Sequence, residues 1–550
     1  MDVVVIGAGA TGLKAASRAK RRNPDINVTV VEAGRFISVS RCGLPYYIGG
    51  FINEVNDLRK TTYGAIRDER FFKELRDIDI LTLTKAIEID RSKKVVKIEK
   101  SDGSEDELNY DYLVISTGAK PVKPKIDAEG VFTLYDPEDA EKILDYWEEY
   151  EPDKAVVIGS GLVELETCEA LTNLGLEVTL IESANHIAPA ILDEEMARLL
   201  EIHLKEKGVN VVTSATVSKI STKNGRVSSV FAGKEFPADI VITSVEVKPN
   251  VELAKKAGLK IGETGAIFVN EYLQTSDESI YAGGDCVENV NLITGKRVYT
   301  PLGDIANKHG RVIGDNITGG KEKFPGVIGS VIAKVFDFTI AKTGLSEKEA
   351  RENGFDVITA LAPSPDREPY YPRMNNIRLK IVVDKKTNKI IGAQAVGLGV
   401  IDKRIDVLAT AIQAGLTIDT IANLDLAYAP PYSASLDNVI VAANVARNKR
   451  DGLFETVKSS ELKEMIDRDD VLILDVRNKD EFEKGLKIEA KNVVNIPLIE
   501  LRKRLNELPK DKTIVVVCPL GARSYEAYRI LKGNGFKKVK ALEGGLAFWV

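Results

Sequence analysis

Two stretches of the chain, about 150 residues apart, share one arrangement of apolar and polar positions. Residues 2–32 begin with the apolar run DVVVI, pass through a glycine-rich turn and a segment with helical spacing, and end with a second apolar run that stops at Glu32. Residues 154–182 repeat this order and stop at Glu182. Short apolar runs on either side of a longer helical pattern predict two strand–helix–strand units with parallel strands.

The remaining pattern predicts further strands and a change of architecture along the chain. Apolar runs in 110–124 and 279–286 each predict a buried strand that ends in a glycine turn, and the first continues into a proline-rich crossover. Strand-like runs followed by helical ones fill 325–446, after which ARNKRDG at 446–452 is typical of a linker. A smaller alternation of strands and helices starts at 455. The length of 550 residues also indicates several domains.

The glycines of the first unit suit a dinucleotide. Gly7, Gly9 and Gly12 provide a tight turn, a close approach of the backbone to a pyrophosphate and close packing of helix on strand. The phosphates would lie at the N-terminus of the helix, and Glu32 could accept hydrogen bonds from an adenosine ribose. A glycine turn also occurs in other α/β folds, but the spacing together with the terminal acid favours a dinucleotide site.

The second unit departs from this pattern at one position. Gly159 and Gly161 are present, but Glu164 stands where the third glycine is expected. Its carboxylate would repel a pyrophosphate, so we expect the site to work if this side chain points outward. Glu182 suits the two ribose hydroxyls of NADH and would repel the 2′-phosphate of NADPH. Two nucleotide sites in one chain predict FAD and NADH working in relay.

Composition and charge exclude several other functions. The net charge is -6 and the basic clusters are short, which argues against nucleic acid as a partner. No apolar run reaches the roughly 20 residues of a membrane span, and the N-terminus lacks the basic segment of a signal peptide, so no membrane partner and a cytoplasmic location are expected. Four widely spaced cysteines and three scattered histidines have no metal-ligand spacing, so no metal is predicted.

Cys42 is the candidate nucleophile. It follows a loop, comes directly before a segment that can start a helix, and has Arg41 beside it. A helix N-terminus and a neighbouring cation both favour the thiolate, the form that attacks sulfur. A buried structural cysteine is the usual alternative, and we interpret Cys168 and Cys286 in that way. The two dinucleotide sites that accompany Cys42 favour the catalytic interpretation for it.

Residues 1–446 resemble the coenzyme A-disulfide reductase branch of the pyridine nucleotide-disulfide oxidoreductases. The shared motifs run in one order: SxxxC from Ser38 to Cys42, followed by GLPYYIGG, STGA, YAGGDC, NKHGR, AKVFDFTIAKTGL, YYP and LAYAPPYS. That family carries one active-site cysteine where glutathione-reductase relatives carry a CxxxxC pair. Tyr47, five residues after Cys42, fits the single-cysteine pattern.

The resemblance implies a homodimer in which the 325–446 domain of one subunit covers the other's active site. It also implies that two tyrosines, Tyr370 and Tyr428, lie near the cysteine. Gly118 and Asp285 would contact FAD. Ser38, Arg18 and Arg21 would face coenzyme A. The tyrosine hydroxyls could stabilise or protonate a departing thiolate, although a tyrosine beside proline is more often turn packing. Arg41 replaces an asparagine that contacts substrate in the family, which leaves the thiol carrier open.

The last domain resembles rhodaneses. Cys518 follows the apolar run TIVVV, and the loop from Cys518 to Arg523 can wrap backbone N–H groups round an anion, with Arg523 closing the ring. Such a loop stabilises a persulfide on the cysteine. DVR at 475–477 and EGG at 543–545 lie in the expected order, whereas GLKIEAKNVVNIP lacks the usual histidine. The alternative is a degenerate domain kept for docking.

These features predict an α/β protein with two Rossmann-like dinucleotide-binding domains, an α+β dimerisation domain and a C-terminal rhodanese-like α/β domain. The predicted boundaries are, by domain, FAD-binding domain 1–112 and 246–322, NAD-binding domain 113–245, dimerisation domain 323–446, linker 447–454 and rhodanese-like domain 455–550.

The favoured function is an FAD-dependent reductase that uses NADH to reduce persulfides, polysulfide or coenzyme A-type disulfides through Cys42, with sulfur transfer through Cys518. Close alternatives are a coenzyme A-disulfide reductase proper and an NADH oxidase, which needs no persulfide. A sulfur carrier without reductase activity is kept open by Glu164. The implied cofactors are FAD and NADH, with coenzyme A as a further candidate, and the implied partner is a small thiol or persulfide.

Overall fold

The computed structural model describes almost the whole chain, namely residues 1–122, 126, 128–243 and 247–549. Part of the predicted proline-rich crossover at 123–125, and the predicted return to the FAD-binding domain at 246, lie outside the described residues. The chain forms two compact units, Met1–Asn185 with Gly208–Val327 and His186–Lys207 with Ile328–Val550. None of the helices in the described residues combines the length and apolar character that a membrane crossing requires.

A five-stranded parallel sheet forms the first layer of the first unit. Its strands are, in spatial order, Ile280–Ala282, Tyr112–Ile115, Asp2–Ile6, Asn27–Val31 and Asp79–Leu81. The run Val3 to Ile6 is buried on both faces, as expected of a central parallel strand with helices around it. The accompanying helices are Ala10–Arg22, Leu44–Ile48, Glu69–Arg76, Glu252–Lys256 and Gly303–Asn316, with 3-10 turns at Arg41–Gly43 and Val55–Arg59.

Smaller ladders complete this part of the chain. An antiparallel sheet contains Thr84–Asp90, Val95–Lys100 and Glu105–Asn109. Two-stranded ladders pair Ala119–Pro121 with Val247–Pro249 and Asn289–Val290 with Arg297–Val298.

The second sheet of the first unit repeats the parallel plan. Its strands are, in spatial order, Asn210–Val212, Glu177–Ile181, Lys154–Ile158, Ile240–Thr243 and Val131–Phe132. Helices Pro137–Tyr150 and Leu162–Asn173 accompany it, together with an antiparallel sheet of Lys219–Lys223, Arg226–Ala232 and Lys234–Pro237. In both parallel sheets the glycine-rich turn follows the central strand at its carboxyl end, where α/β proteins bind nucleotides.

The second unit contains an antiparallel sheet and then a parallel one. The antiparallel strands are, in spatial order, Val331–Val335, Phe338–Gly344, Ile390–Gly397, Asn376–Asp384 and Val357–Pro365. Its helices are Glu194–Glu206, Glu347–Glu352, Asp402–Gln413, Ile418–Ile421 and Asn438–Arg450. The buried Lys380 ammonium donates to Asp193, Glu195 and Glu347, which ties the segment His186–Lys207 to this sheet.

The parallel sheet of the second unit belongs to the C-terminal part of the chain. Its strands are, in spatial order, Thr456–Val457, Val539–Leu542, Thr513–Val517, Val471–Asp475 and Val493–Asn495. Its helices are Ser459–Lys463, Lys479–Lys484, Leu498–Leu501 and Ala522–Gly533, with 3-10 turns at Leu505–Glu507 and Gly545–Phe548. The helix Asn438–Arg450 extends into the predicted linker 447–454, and Phe454 packs into the core of this sheet.

Candidate active site

The first glycine-rich turn is a tight cradle between strand and helix. Gly7 has a φ of 102°, and a Cβ on Gly12 would lie 2.0 Å from the Gly7 carbonyl oxygen, so neither position accepts a side chain. The helix Ala10–Arg22 begins after Gly9 with no side-chain cap on its N–H groups. The Glu32 carboxylate accepts hydrogen bonds from Ala8 N–H at 2.7 Å and Gly34 N–H at 2.9 Å. These residues fit the pyrophosphate and ribose of FAD.

The GGDC loop closes the same end of the sheet. Gly284 N–H donates to the buried His309 imidazole Nδ1 at 3.1 Å, which fixes the backbone just before Asp285. Burial raises the pKa of Asp285, and Arg41 opposes this. His309 is a supporting residue that our sequence reasoning left without a role, although the NKHGR motif contains it. Gly118 has a φ of 67° and borders the same region beside Tyr135.

Arg41 turns toward the predicted FAD site. Its guanidinium bonds to Asp136 at 2.6 Å and lies 4.8 Å from the centre of the Tyr135 ring. One terminal nitrogen is 4.0 Å from the place where a Cβ of Gly9 would be. Burial acts to lower the pKa of Arg41, but the charges of Asp136 and Glu32 help to raise it above its usual value. The prediction that Arg41 supports the thiolate of its neighbour is therefore wrong, because Asp136 takes up its charge.

Cys42 presents an exposed thiol on a 3-10 turn that leads into the helix Leu44–Ile48. Loss of water contact among surrounding protein atoms raises the pKa of Cys42, and the Glu166 carboxylate raises it further. The predicted low thiol pKa is thus corrected to a raised one, since the following helix has only five residues. Ser38, four residues earlier, has a φ of 58° and its N–H donates to the Ala8 carbonyl, which ties this loop to the first glycine-rich turn.

A contact between two side chains near Cys42, those of Tyr46 and Glu166, was not predicted from the sequence. The Tyr46 hydroxyl donates to Glu166 at 3.1 Å. Burial and then Glu166 raise the pKa of Tyr46 well above its ordinary range. The two residues lie 120 positions apart, so only the packing of helix Leu44–Ile48 on helix Leu162–Asn173 brings them together.

The second glycine-rich turn repeats the first with one difference. Gly159 has a φ of 92°, and Glu182 accepts hydrogen bonds from Ser160 Oγ at 2.5 Å and Ala184 N–H at 2.8 Å, as Glu32 does from its own turn. Glu164 is buried and reaches back over Gly161. The condition under which we expected this site to work, an outward-pointing Glu164, is therefore not met. The backbone fits a nicotinamide dinucleotide, whereas the carboxylate competes for the same N–H groups.

The two predicted arginines for coenzyme A differ in their surroundings. Arg18 bonds to Asp315 at 2.7 Å, and Arg22 bonds to the same carboxylate at 3.1 Å. Arg21 is exposed; partial burial first, and then the charges of Arg76, Arg18 and Arg311, lower its pKa. A cluster of like charges of this kind attracts phosphate groups. Arg21 is thus the better candidate for a phosphate of coenzyme A.

Tyr370 and Tyr428 lie in the second unit on one exposed surface. They are 73% and 50% exposed, and the Tyr428 hydroxyl donates to Glu368 at 3.2 Å. Partial loss of water and the Glu368 carboxylate raise the pKa of Tyr428, which keeps its proton on at neutral pH. Tyr371, Tyr432 and Leu436 are further exposed apolar side chains of the second unit.

The Cys518 loop directs backbone N–H groups at its own sulfur. Cys518 is buried, and its Sγ accepts hydrogen bonds from Gly521 N–H at 3.2 Å and Ser524 N–H at 3.3 Å. The EGG segment packs against this loop, and Leu546 N–H donates to the Cys518 carbonyl at 2.8 Å.

Arg523 departs from its predicted place in that loop. It donates two hydrogen bonds to Glu481, at 2.7 and 2.8 Å, instead of closing the ring over Sγ. Glu481 is the partner that sequence reasoning missed. Within the described ranges, no group of three or more histidine, cysteine, aspartate or glutamate side chains could hold a metal ion.

Family models match three consecutive parts of the chain. Residues 1–299 match the pyridine nucleotide-disulphide oxidoreductase model, 331–440 match the dimerisation domain of the same family, and 458–550 match the rhodanese-like domain. These matches confirm the predicted fold class.

Named relatives cover most or all of the chain. A Pyrococcus furiosus protein named NAD(P)H sulfur oxidoreductase (CoA-dependent) is 40% identical over 81% of this chain and 99% of its own length. The structure of a NAD-dependent persulfide reductase from A. fulgidus is 60% identical with a TM-score of 0.96, and it covers 100% of both chains. The reduced Bacillus anthracis protein CoADR-RHD is 37% identical with a TM-score of 0.92, over 100% of this chain and 97% of that one.

Proposed function

The chain belongs to the pyridine nucleotide-disulphide oxidoreductase family, and from this membership we propose that it is an FAD-dependent reductase that uses NADH to reduce persulfides or polysulfide. One observation carries the proposal: a single chain combines an exposed Cys42 thiol, on a loop tied to the first glycine-rich turn, with a Cys518 thiol that accepts two backbone hydrogen bonds. The names of the relatives, a sulfur oxidoreductase and a persulfide reductase, support this assignment.

Residues of the first unit would hold the cofactors. The turn of Gly7, Gly9 and Gly12 would bind the FAD pyrophosphate, with Glu32 on the ribose and Asp285 on the ribityl chain. Gly118 would border the flavin. The turn of Gly159 and Gly161, with Glu182, would bind NADH. When bound, FAD supplies the two-electron transfer that connects NADH to a disulfide.

Cys42 would perform the sulfur chemistry. Its thiolate attacks the inner sulfur of a persulfide R–S–SH, so that a Cys42–S–S–R bond forms, the original S–S bond breaks and hydrosulfide leaves. One NADH and one proton then convert the mixed disulfide to the Cys42 thiol and R–SH, with release of NAD+. Because the pKa of Cys42 is raised, its proton must leave before the attack, and Tyr370 and Tyr428 are the proposed proton donors to the departing sulfur.

We extend the proposal to the substrate and the assembly. Coenzyme A is the proposed thiol carrier, with Arg21 near its phosphates and Ser38 and Arg18 lining its path. A homodimer is proposed because Tyr370, Tyr428 and neighbouring apolar side chains are exposed in the single chain, on a domain that matches the family's dimerisation model. The four free thiols suit a reducing compartment, and we propose the cytoplasm.

The test is NADH oxidation under strictly anaerobic conditions with defined acceptors. We expect steady NADH consumption with coenzyme A persulfide or polysulfide, and hydrosulfide as a product. Coenzyme A disulfide serves as the competing substrate, and the ratio of the two kcat/KM values decides between persulfide and disulfide reductase. NADH consumption that requires oxygen and yields peroxide or water would replace the proposal with an NADH oxidase. No NADH consumption with any acceptor would leave the sulfur-carrier alternative.

A further inference from the structure

A carboxylate lies where a phosphate would bind in the second glycine-rich turn. Glu164 is the third residue of helix Leu162–Asn173 and is only 4% exposed. Burial raises the pKa of this carboxyl, and the nearby backbone N–H groups of Glu164 itself and of Gly161 act in the opposite direction. A Cβ built on Gly161 would lie 2.6 Å from Glu164 Oε2, so the side chain folds back over the turn. Glu164 therefore covers the start of its own helix, where a third-position glutamate lies in a capping box.

The first turn provides an internal reference for this arrangement. Gly12 takes the equivalent third position of helix Ala10–Arg22, and that helix begins with uncapped N–H groups. Uncapped N–H groups at a helix start attract the phosphates of a dinucleotide. In the second turn the Glu164 carboxylate lies over this place, so a pyrophosphate meets a negative charge where it needs donors.

Few charges surround Glu164 to relieve this conflict. Glu182, at the end of the strand Glu177–Ile181, adds a second negative charge, and Cys168 lies one turn further along the same helix. Lys154 and Glu177 begin their strands and so lie at the opposite end of the sheet. On the helix Leu44–Ile48, Tyr46 faces Glu166.

We propose that Glu164 takes up a proton when the nicotinamide dinucleotide binds, and that its neutral carboxyl group then stays in the turn as a hydrogen-bond donor to the pyrophosphate. This inference rests on the proposed use of NADH at this turn. A neutral carboxyl carries one O–H donor, whereas a carboxylate only accepts. Protonation therefore turns a repulsive contact with phosphate into an attractive one.

The protonation state of Glu164 before the dinucleotide binds decides at which pH the proton uptake can be measured. Burial, together with the charge of Glu182, raises the pKa of Glu164 to about 7. Below that pH the side chain is mostly neutral and binding needs no proton. One pH unit above it, about nine in ten molecules must first be protonated, which weakens apparent binding about tenfold.

The experiment is calorimetric titration of the oxidised holoenzyme with 1,4,5,6-tetrahydro-NAD, a reduced analogue that cannot transfer hydride. Titrations at about pH 6 and about pH 8, each in two buffers with different ionisation enthalpies, give both Kd and the protons taken up. For the unaltered protein we expect a Kd about tenfold weaker at the higher pH, with nearly one proton taken up there. Glu164→Gln should bind with the same Kd at both pH values and take up no proton. Glu177→Gln, which removes a charge at the far end of the sheet, should behave like the unaltered protein.

The outcomes distinguish failure of the Glu164 proposal from failure of the proposed use of NADH. Binding with no proton uptake by the unaltered protein would make Glu164 a helix cap alone and overturn the inference, whatever the variants do. Uptake that persists in Glu164→Gln would assign the proton to another group and overturn it as well. No binding of the analogue at either pH, with flavin in place, would overturn the proposed use of NADH and the inference with it.

Discussion

The Tyr46 hydroxyl donates a hydrogen bond to Glu166 at 3.1 Å, and this contact joins the helix after Cys42 to the helix of the second glycine-rich turn. The same Glu166 carboxylate raises the pKa of the Cys42 thiol. The proposed nucleophile and the proposed NADH site thus share one acidic side chain. Burial is the main reason why the thiol keeps its proton, and the nearby Glu166 carboxylate favours the protonated form further.

Removal of the Glu166 charge should therefore lower the thiol pKa. In Glu166→Gln we expect the pKa of Cys42 to fall, with a larger fraction of thiolate on the acidic side of the titration. The pH dependence of alkylation by iodoacetamide measures this, because the thiolate is the reactive form. Cys42→Ser identifies the labelled thiol, since Cys168, Cys286 and Cys518 are buried. An unchanged alkylation profile would show that Glu166 does not act on the thiol.

Cys42 should be the thiol that the reductase activity requires. Cys42→Ser removes the nucleophile but leaves the turn of Gly7, Gly9 and Gly12 intact, so it should retain FAD and lose NADH oxidation with persulfides and disulfides. Flavin absorbance and anaerobic turnover measure the two properties on one sample. Cys168→Ser, at a buried position, is the matched control and should keep the activity of the unaltered protein if it folds. Full turnover by Cys42→Ser would falsify the assignment.

The backbone parts of the site could be predicted from the sequence, whereas its long-range side-chain contacts could not. The roles of Gly7 and Gly12 could be predicted because the steric limits on a side chain act within one turn. The role of Glu32 could be predicted because it stands at the end of the second strand of the strand–helix–strand unit. The partner of Arg41 could not be found in this way, because Asp136 lies 95 residues away. Arg41 is next to Cys42 in the sequence, but its guanidinium forms its ion pair with Asp136.

The direction of Glu164 shows a second limit of the same reasoning. The sequence identifies the missing third glycine, but two local solutions compete for a glutamate at that position. It can extend into solvent or cap its own helix. In this chain the side chain is buried and folds back over Gly161. Arg523 presents the same problem, since Glu481 binds it from a separate helix.

Glu182 should select NADH over NADPH. Its two carboxylate oxygens are held by the Ser160 hydroxyl and Ala184 N–H at the mouth of the turn, where a 2′-phosphate would meet a fixed negative charge. We expect kcat/KM for NADH to exceed that for NADPH by about tenfold or more. Glu182→Ala should narrow this ratio, with most of the change in the NADPH value. Equal kcat/KM values for the two cofactors with the unaltered protein would contradict the role of Glu182.

His309 should make the protein sensitive to acid. Burial lowers the pKa of His309 to about 3, whereas an unfolded histidine has a pKa of about 6.5. Between these values the unfolded chain binds a proton that the folded chain does not, so stability is lost as pH falls through this window. His309→Gln keeps an acceptor for Gly284 N–H and cannot be protonated, so its Tm should fall less than that of the unaltered protein between about pH 7 and about pH 4. Parallel Tm profiles for the two proteins would rule out this contribution.

Cys518 should act as a sulfur relay. Its Sγ already accepts two backbone hydrogen bonds, from Gly521 and Ser524, which suits a persulfide anion. After treatment with thiosulfate or polysulfide, mass spectrometry should find a persulfide on Cys518 in the unaltered protein and in Cys42→Ser. The persulfide should be absent from this position in Cys518→Ala. A Cys518 that never gains sulfur, and whose loss leaves sulfur-dependent NADH oxidation intact, would exclude the relay and leave the role of Cys42 untouched.

The ion pair between Arg523 and Glu481 should control how readily this relay is loaded. Glu481 neutralises the cation that borders the loop, so Glu481→Gln should leave Arg523 free to attract an anionic sulfur donor and stabilise the product. We expect severalfold faster loading of Cys518 from thiosulfate in that variant, and severalfold slower loading in Arg523→Ala. Added salt should reduce the faster loading of Cys518 in Glu481→Gln, because salt screens exposed charges. Equal loading rates in both variants would mean that the backbone N–H groups alone hold the persulfide, since the two substitutions change the charge beside the loop in opposite directions.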